Sequence, residues 1–285
     1  MTDAPATGTP ENRPPAAGTS GNGARIIGPS GNPTPEGGNG GPLPPSAVYG
    51  QDVSEVYDLF YRGRGQDFAA EAAVVAETVR SRRPDANSLL DVACGTGEHL
   101  RWLATHFDEV AGLEMSPAMC ALARGKRPRT PVHQGDMRGF DLGRAFDAVC
   151  CLTSSLGYMS GVDELDAAVA AMARHLVPGG VLVIDPWWSP GTFLDGHIAH
   201  DVVRTDTRTV ARLSHSRRDG DSVRHEAHYL VADATGIRHF THTQPLTLFT
   251  RAQYLAALEH AGCAAEHVEY ATHFTARGLF VAVRD

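Results

Sequence analysis

The chain has 285 residues, 42% of them hydrophobic, and carries a formal net charge of −8 at pH 7. Such acidity argues against nucleic acid as a partner, because a phosphate backbone calls for a clustered basic surface, whereas a few local arginines suffice for a nucleoside diphosphate. No apolar run of about 18 residues is available to span a membrane, and the first residues lack the basic-then-apolar order of a signal peptide, so a cytoplasmic protein is expected.

Residues 1–47 are rich in Pro, Gly, Ala, Thr and Asn, with almost no large apolar residue beyond Ile26-Ile27. That is too little to offset the entropy of ordering, and a disordered tail is expected. Residues 48–285 are long enough for one domain with a single sizeable core. Within it, Ser88-Leu-Leu-Asp-Val-Ala-Cys-Gly-Thr-Gly-Glu-His-Leu100 joins a buried-type strand to a tight turn and a helix. Gly95 and Gly97 stand where a side chain would obstruct a ligand lying against the backbone. A dinucleotide site needs a further glycine at the position that Leu100 occupies, so a different nucleotide-type cofactor is expected.

The helix is predicted over Glu98–Phe107, and a second strand over Glu109–Met115. Glu114 lies near the distance at which a carboxylate accepts hydrogen bonds from ribose hydroxyls in doubly wound folds. Ser116-Pro117 supplies an N-cap and an N1 proline for the next helix. A third strand leads to Gln134-Gly-Asp-Met-Arg138, where Asp136 can accept from an adenine amino group and Met137 can pack on the ring. Phe146–Thr153 reads as strand four, and Leu176–Gly180 introduces strand five, Val181–Asp185. This order is α/β with a parallel sheet.

From about residue 200 to 248 the pattern changes to period-two alternation between turns such as Arg218-Asp-Gly220, predicting an antiparallel insert with one wet face that caps the active site or forms a dimer. Thr250-Arg-Ala-Gln253 has capping-box spacing for a helix ending near Gly262. Two closing strands are expected near Ala265–Thr272 and Gly278–Arg284. The five cysteines, at 94, 120, 150, 151 and 263, form no C-x-x-C pair and read as buried thiols. The spacings His197/His200 and His239/His242, on strands or loops, do not bring imidazoles together, and no metal is expected.

The ordered set from Gly95 to strand five resembles the class I S-adenosylmethionine (SAM)-dependent methyltransferases, whose ligand has a ribose and an adenine but no pyrophosphate. More narrowly, Tyr57-Asp-Leu-Phe-Tyr-Arg-Gly-Arg-Gly-Gln-Asp-Phe68, Leu113-Glu-Met-Ser116, Gly135-Asp-Met-Arg138, Ser154-Ser-Leu-Gly157, Ile184-Asp-Pro-Trp-Trp188, Ser214-His-Ser216 and Arg277-Gly-Leu-Phe280 are similar to the N,N-dimethyltransferases of TDP-amino-deoxysugars of the desosamine, mycaminose and forosamine type. The likeness runs from about residue 49 to the C-terminus. It implies a Rossmann-like, seven-stranded sheet, SAM as cofactor and a TDP-linked aminosugar as substrate, while the antiparallel insert after strand five favours a homodimer.

The same resemblance implies that Tyr57, Ala93, Met115 and Leu152 join Gly95, Gly97, Glu114, Asp136 and Met137 around the cofactor. Tyr49 and Phe68 would cover the sugar nucleotide, although relatives usually carry tyrosine in place of Phe68. Trp187 would pack on the sugar or thymine, its structural alternative being a strand-end core aromatic. Arg277 would neutralise diphosphate oxygens, its alternative being a surface ion pair. Tyr158 is the candidate catalytic contact with the amine. Relatives typically have histidine there, and a phenol with a pKa near ~10 is a poor base at neutral pH, so orientation by hydrogen bond is the expected role. Methylation of another amine or a hydroxyl of a secondary metabolite, and a catalytically silent SAM-binding scaffold, are the competing readings.

Overall fold

The computed structural model describes residues 49–269 and 277–285. The expected tail, residues 1–47, and the end of the expected closing strand, residues 270–272, lie outside the described residues. Two helices lead in, α1 (Gln51–Gly63) and α2 (Phe68–Arg80), the second capped by Asp67, whose carboxylate accepts from the Ala69 and Ala70 N–H groups at 3.1 and 2.9 Å. There follow β1 (Ser88–Val92), α3 (Glu98–Leu103), β2 (Glu109–Glu114), α4 (Pro117–Lys126), β3 (Val132–Gln134), β4 (Phe146–Cys151), a 3₁₀ turn (Ser155–Tyr158), α5 (Val162–Arg174) and β5 (Leu176–Ile184). After β6 (His197–Arg204), β7 (Arg208–Asp219), β8 (Ser222–Asp233) and β9 (Gly236–Thr247), the chain returns through α6 (Arg251–His260), β10 (Cys263–Val268) and β11 (Leu279–Arg284).

The main sheet has seven strands in the order β10-β11-β5-β4-β1-β2-β3. All run parallel except β11, antiparallel to β5 and β10. Successive residues of the central strands bury opposite faces, as the pleat requires. Leu89, Cys150 and Val183 pack under α2, α3 and α4, while Leu90, Cys151 and Ile184 pack under α5 and α6. With both faces covered, the central strands are mostly apolar, the buried Asp91 of β1 and Glu114 at the end of β2 being exceptions. All five cysteines are buried and unpaired, as expected.

Several boundaries differ from the sequence reading. The helix predicted to reach Phe107 stops at Leu103, because the chain tightens into a turn in which the His106 and Phe107 N–H groups both bond the Leu103 carbonyl at 2.9 Å, sinking Phe107 into the core. β5 starts earlier than Val181, since Leu176 already pairs with Phe146 and a bulge absorbs the Pro178-Gly179-Gly180 segment. The capping box at Thr250 and Gln253 forms as read, and so does the Ser116 cap of α4.

The insert is a four-stranded antiparallel meander, β6-β7-β8-β9, with three of its strands twelve residues long, rather than the short segments anticipated. Its inner face sets Val203, Val210, Ala227, Tyr229 and Val231 against Val56 and Phe60 of α1. Its outer face is less polar than expected: Ile198, Val202, Leu213, Leu230 and Ile237 are each at least half exposed there. α1 comes close to the insert at Gly63, where an added Cβ would lie 2.2 Å from Val203 Cγ1. Gly63→Ala is therefore expected to destabilise the protein by about 1–3 kcal/mol through overpacking, read as a lower thermal midpoint; an unchanged midpoint would show that the contact gives way freely.

Candidate active site

The turn after β1 carries Ala93, Gly95 and Gly97 at φ 60°, 55° and 80°. A left-handed alanine is strained and persists only where its surroundings over-determine it. A Cβ on Gly95 would meet nothing within 4 Å, so the turn opens onto free space that a ligand can fill, whereas one on Gly97 would press on Ala123 Cβ at 3.2 Å. Beyond β2, the buried Glu114 carboxylate accepts from the Gly95 N–H at 3.0 Å and the Ser116 N–H at 2.7 Å. Burial pushes this carboxyl up, and the backbone donors of Ser116, Gly95 and Met115 offset only part of that.

Asp136 stands one loop away, chelated by the Arg138 guanidinium and bonded by the Arg138 N–H at 2.9 Å. Burial works against its charge, but these donors win and hold the carboxyl below its ordinary range. Met137 packs at the rim of the core, and Leu152 is buried at the end of β4. An open glycine turn with an anchored carboxylate beside it and a second acid beyond suits an adenosyl ligand with a free ribose diol.

A cavity of about 770 Å³ lies between the C-terminal end of the main sheet and the inner face of the insert. Tyr49 joins it to the turn: its carbonyl accepts from Ser116 Oγ at 2.8 Å, and its hydroxyl lies 2.6 Å from that of Tyr158. Tyr158 in turn donates to Gln244 Oε1 at 2.7 Å. Burial first, and the neighbouring Tyr49 next, push the Tyr158 phenol well above its ordinary pKa, so it is no base at neutral pH. Tyr57 also lines the cavity, its ring 5.7 Å from that of Tyr49. Thr153 and Ser154 meet it with φ of 53° and 63°, two consecutive strained residues at one wall.

On the far wall, Arg277 Nη2 donates to Ser154 Oγ at 3.1 Å and lies 3.8 Å from Asp185 Oδ1, while its Nε and that carboxylate oxygen have no hydrogen-bond partner. Arg277 is therefore not a surface ion pair. Burial pulls its basicity down and pushes the Asp185 carboxyl up to about 6. Trp187 borders the cavity and also packs on Val223, Leu246 and Leu248, so both anticipated surroundings apply to it. Phe68 is the exception: buried at the start of α2 with its ring 5.0 Å from that of His99, it does not line the cavity. Its first-turn position sets it against α3 rather than in the cavity wall.

Sequence reading missed several lining residues on the insert. Arg212 Nε donates to the Tyr229 hydroxyl at 3.1 Å, and its Nη2 donates to His225 Nε2 at 2.8 Å. Because arginine only donates, His225 Nε2 must accept, and its Nδ1–H donates to Ser216 Oγ at 2.8 Å. Burial, then Arg212, push the His225 imidazole down to about 4, so it is neutral at physiological pH. The signal was available as alternation: Arg212, Ser214 and Ser216, then His225 and Tyr229, then His242 and Gln244 are inward-facing members of three paired strands. The paired histidine spacings lie on opposite faces of their strands, and the close pair is instead His228 with His239, stacked at 5.4 Å on the outside.

A histidine depressed from 6.5 to about 4 takes up its proton more readily when unfolded. Its contribution to stability is whole above pH 6.5 and is lost as pH falls toward 4. His225→Asn is expected to flatten the decline in thermal midpoint across that window relative to the parent; parallel declines would show that His225 titrates normally.

A family model described as "Methyltransferase domain" matches residues 89–180. The dTDP-3-amino-3,4,6-trideoxy-alpha-D-glucopyranose N,N-dimethyltransferase of Streptomyces venezuelae is 53% identical over 237 residues, covering 83% of this chain and 99% of that protein. The crystal structure of the sugar N-methyltransferase KedS8 from Streptoalloteichus is 66% identical, with a TM-score of 0.76 over 83% of this chain and 96% of that one. SAM-bound CalS10, an amino pentose methyltransferase of Micromonospora echinaspora, is 53% identical, with a TM-score of 0.75 over 81% of this chain and 97% of that one.

Proposed function

Because this chain belongs to the class I SAM-dependent methyltransferases, in the group that includes the N,N-dimethyltransferases of nucleotide-linked amino sugars, we propose that it places two methyl groups on the amine of a TDP-amino-6-deoxysugar in natural-product biosynthesis. The observation that carries this reading is the single cavity running from Tyr49 and Tyr57, beside the glycine turn, to the buried Arg277 guanidinium. One end suits an amine and the other a diphosphate.

SAM, when bound, supplies a methyl group on a sulfonium that already carries the driving force, so the protein must mainly align and desolvate. Gly95 and Gly97 would give the ligand access to the backbone, and Glu114, with Met115 beside it, would take the ribose hydroxyls. Asp136 and Met137 would hold the adenine, with Ala93, Leu152 and Tyr57 closing the pocket. Across the cavity, Arg277 would bond the diphosphate and Trp187 flank the sugar. The attacking nitrogen must be neutral. Desolvation among Tyr49, Tyr57, Tyr158 and Trp187 would lower the amine pKa, against the pull of the Glu71 and Asp185 carboxylates that also line the cavity, and Tyr158 would orient the amine by a hydrogen bond. The proton released after each transfer leaves through the polar side of the cavity.

The test is incubation of the purified protein with SAM and TDP-3-amino or TDP-4-amino deoxysugars, followed by mass measurement. A gain of two methyl groups supports the reading. Turnover restricted to unlinked sugars or aglycones supports the wider methyltransferase alternative, and binding without turnover supports a scaffold. We further place the reaction in the cytoplasm, where five buried unpaired cysteines persist as thiols; among the described residues no helix is long and apolar enough to cross a membrane. The exposed apolar row on the outer face of β6–β9 supports a homodimer. Light scattering is expected to give twice the chain mass, and Leu213→Glu to halve it; a monomeric parent would overturn the assembly.

A further inference from the structure

Resting on the amino-sugar reading, we propose that Gln244 is a positioning residue that makes the Tyr158 oxygen an acceptor only, and that this limits the enzyme to two methylations. A phenol has one hydrogen and two lone pairs. Tyr158 gives its hydrogen to Gln244 Oε1 at 2.7 Å. The Tyr49 hydroxyl, 2.6 Å away, must then donate to Tyr158, so the chain of bonds runs from Tyr49 through Tyr158 to Gln244. One Tyr158 lone pair is left, at a residue that lines the cavity.

What that lone pair selects follows from valence. A primary amine has an N–H to offer it while its own lone pair points elsewhere. The monomethyl product still has one N–H and can be held the same way. The neutral dimethyl amine has none, and meets an oxygen whose hydrogen is already committed. Gln244 lies on β9 opposite His225, 8% exposed, and its amide oxygen accepts from the Tyr158 hydroxyl. An amide oxygen can only accept, so the direction of the chain is fixed at this end.

Gln244→Leu removes the acceptor at similar size and frees the Tyr158 hydrogen to turn toward substrate nitrogen. The expected result is a fall in kcat of roughly tenfold, the scale of one hydrogen bond, with KM for the TDP-sugar nearly unchanged and monomethyl product accumulating, because the second round depends on a single N–H. Gln244→Glu, assayed in alkaline buffer where it is a carboxylate acceptor, is expected to restore the dimethyl product. In a Tyr158→Phe background, Gln244→Leu should cost nothing more. An unchanged ratio of mono- to dimethyl product, or losses that add in the double variant, would overturn the proposal. Carbon-13 labelling at tyrosine Cζ supplies a reading that needs no turnover: the Tyr158 resonance should move in Gln244→Leu, and an unmoved resonance overturns the bond. A parent that transfers no methyl group while that resonance moves would refute the amino-sugar substrate and leave the bond standing.

Discussion

Glu114→Ala is expected to weaken SAM binding by roughly a hundredfold in calorimetry, since two charge-assisted bonds to a ribose diol at about 1.5 kcal/mol each sum to some two decades of affinity. The loss extends past the ligand. Glu114 also receives the Gly95 and Ser116 N–H groups, so its removal leaves the glycine turn and the start of α4 without the acceptor that joins them. Glu114→Gln keeps the shape and one acceptor oxygen and should fall between the parent and alanine. Affinity equal to the parent in the alanine variant would remove Glu114 from the cofactor site and with it the assignment of the turn.

Arg277→Gln should raise KM for a TDP-sugar about tenfold to a hundredfold while SAM affinity stays the same, because a charge-assisted bond to a buried anion carries about 1.5–3 kcal/mol. The guanidinium is already held by Ser154, and its Nε is unpartnered. It also lies over the Trp188 ring and beside Asp185, at the border of the cavity where the proposed diphosphate would sit. Asp185 sharpens the comparison: without Arg277 its nearest cation is gone, and its carboxyl should rise further above about 6. Arg277→Lys would return the charge without the planar fork and should recover only part of the affinity. A KM that does not respond would place the diphosphate elsewhere, with Arg212 the next candidate.

The main sheet was legible because its signals are local. Apolar runs of strand length, the Ser116-Pro117 start of α4 and the Thr250–Gln253 box each act within a few residues. Glycine positions in the first turn were readable for the same reason, since φ and close approach depend on the residue itself. Phe68 shows where that reasoning ends. A likeness in motif put it over the substrate, but its surroundings are set by how α2 packs against α3 and β5, which no neighbour in sequence records. Arg212, His225 and Gln244 were hidden differently: each lies at an unremarkable alternate position, and only the register of three strands brings them to one wall. Tyr158, named from the sequence, does line the cavity, yet its partner lies 86 positions away and could not be read.

One chain of charges ties the two pockets to each other. Asp58 on α1 accepts from Thr96 in the glycine turn and pairs with Lys126 at the end of α4; Lys126 also reaches Glu98 at 3.0 Å, and Glu98 pairs with Arg62, back on α1. The helix that carries Tyr57 and Tyr61 is thus moored to the glycine turn and to the ends of α3 and α4. Arg62 and Lys126 are partly open to water, so added salt loosens the rope. Under the proposed double methylation, raising the ionic strength is expected to increase the share of monomethyl product released.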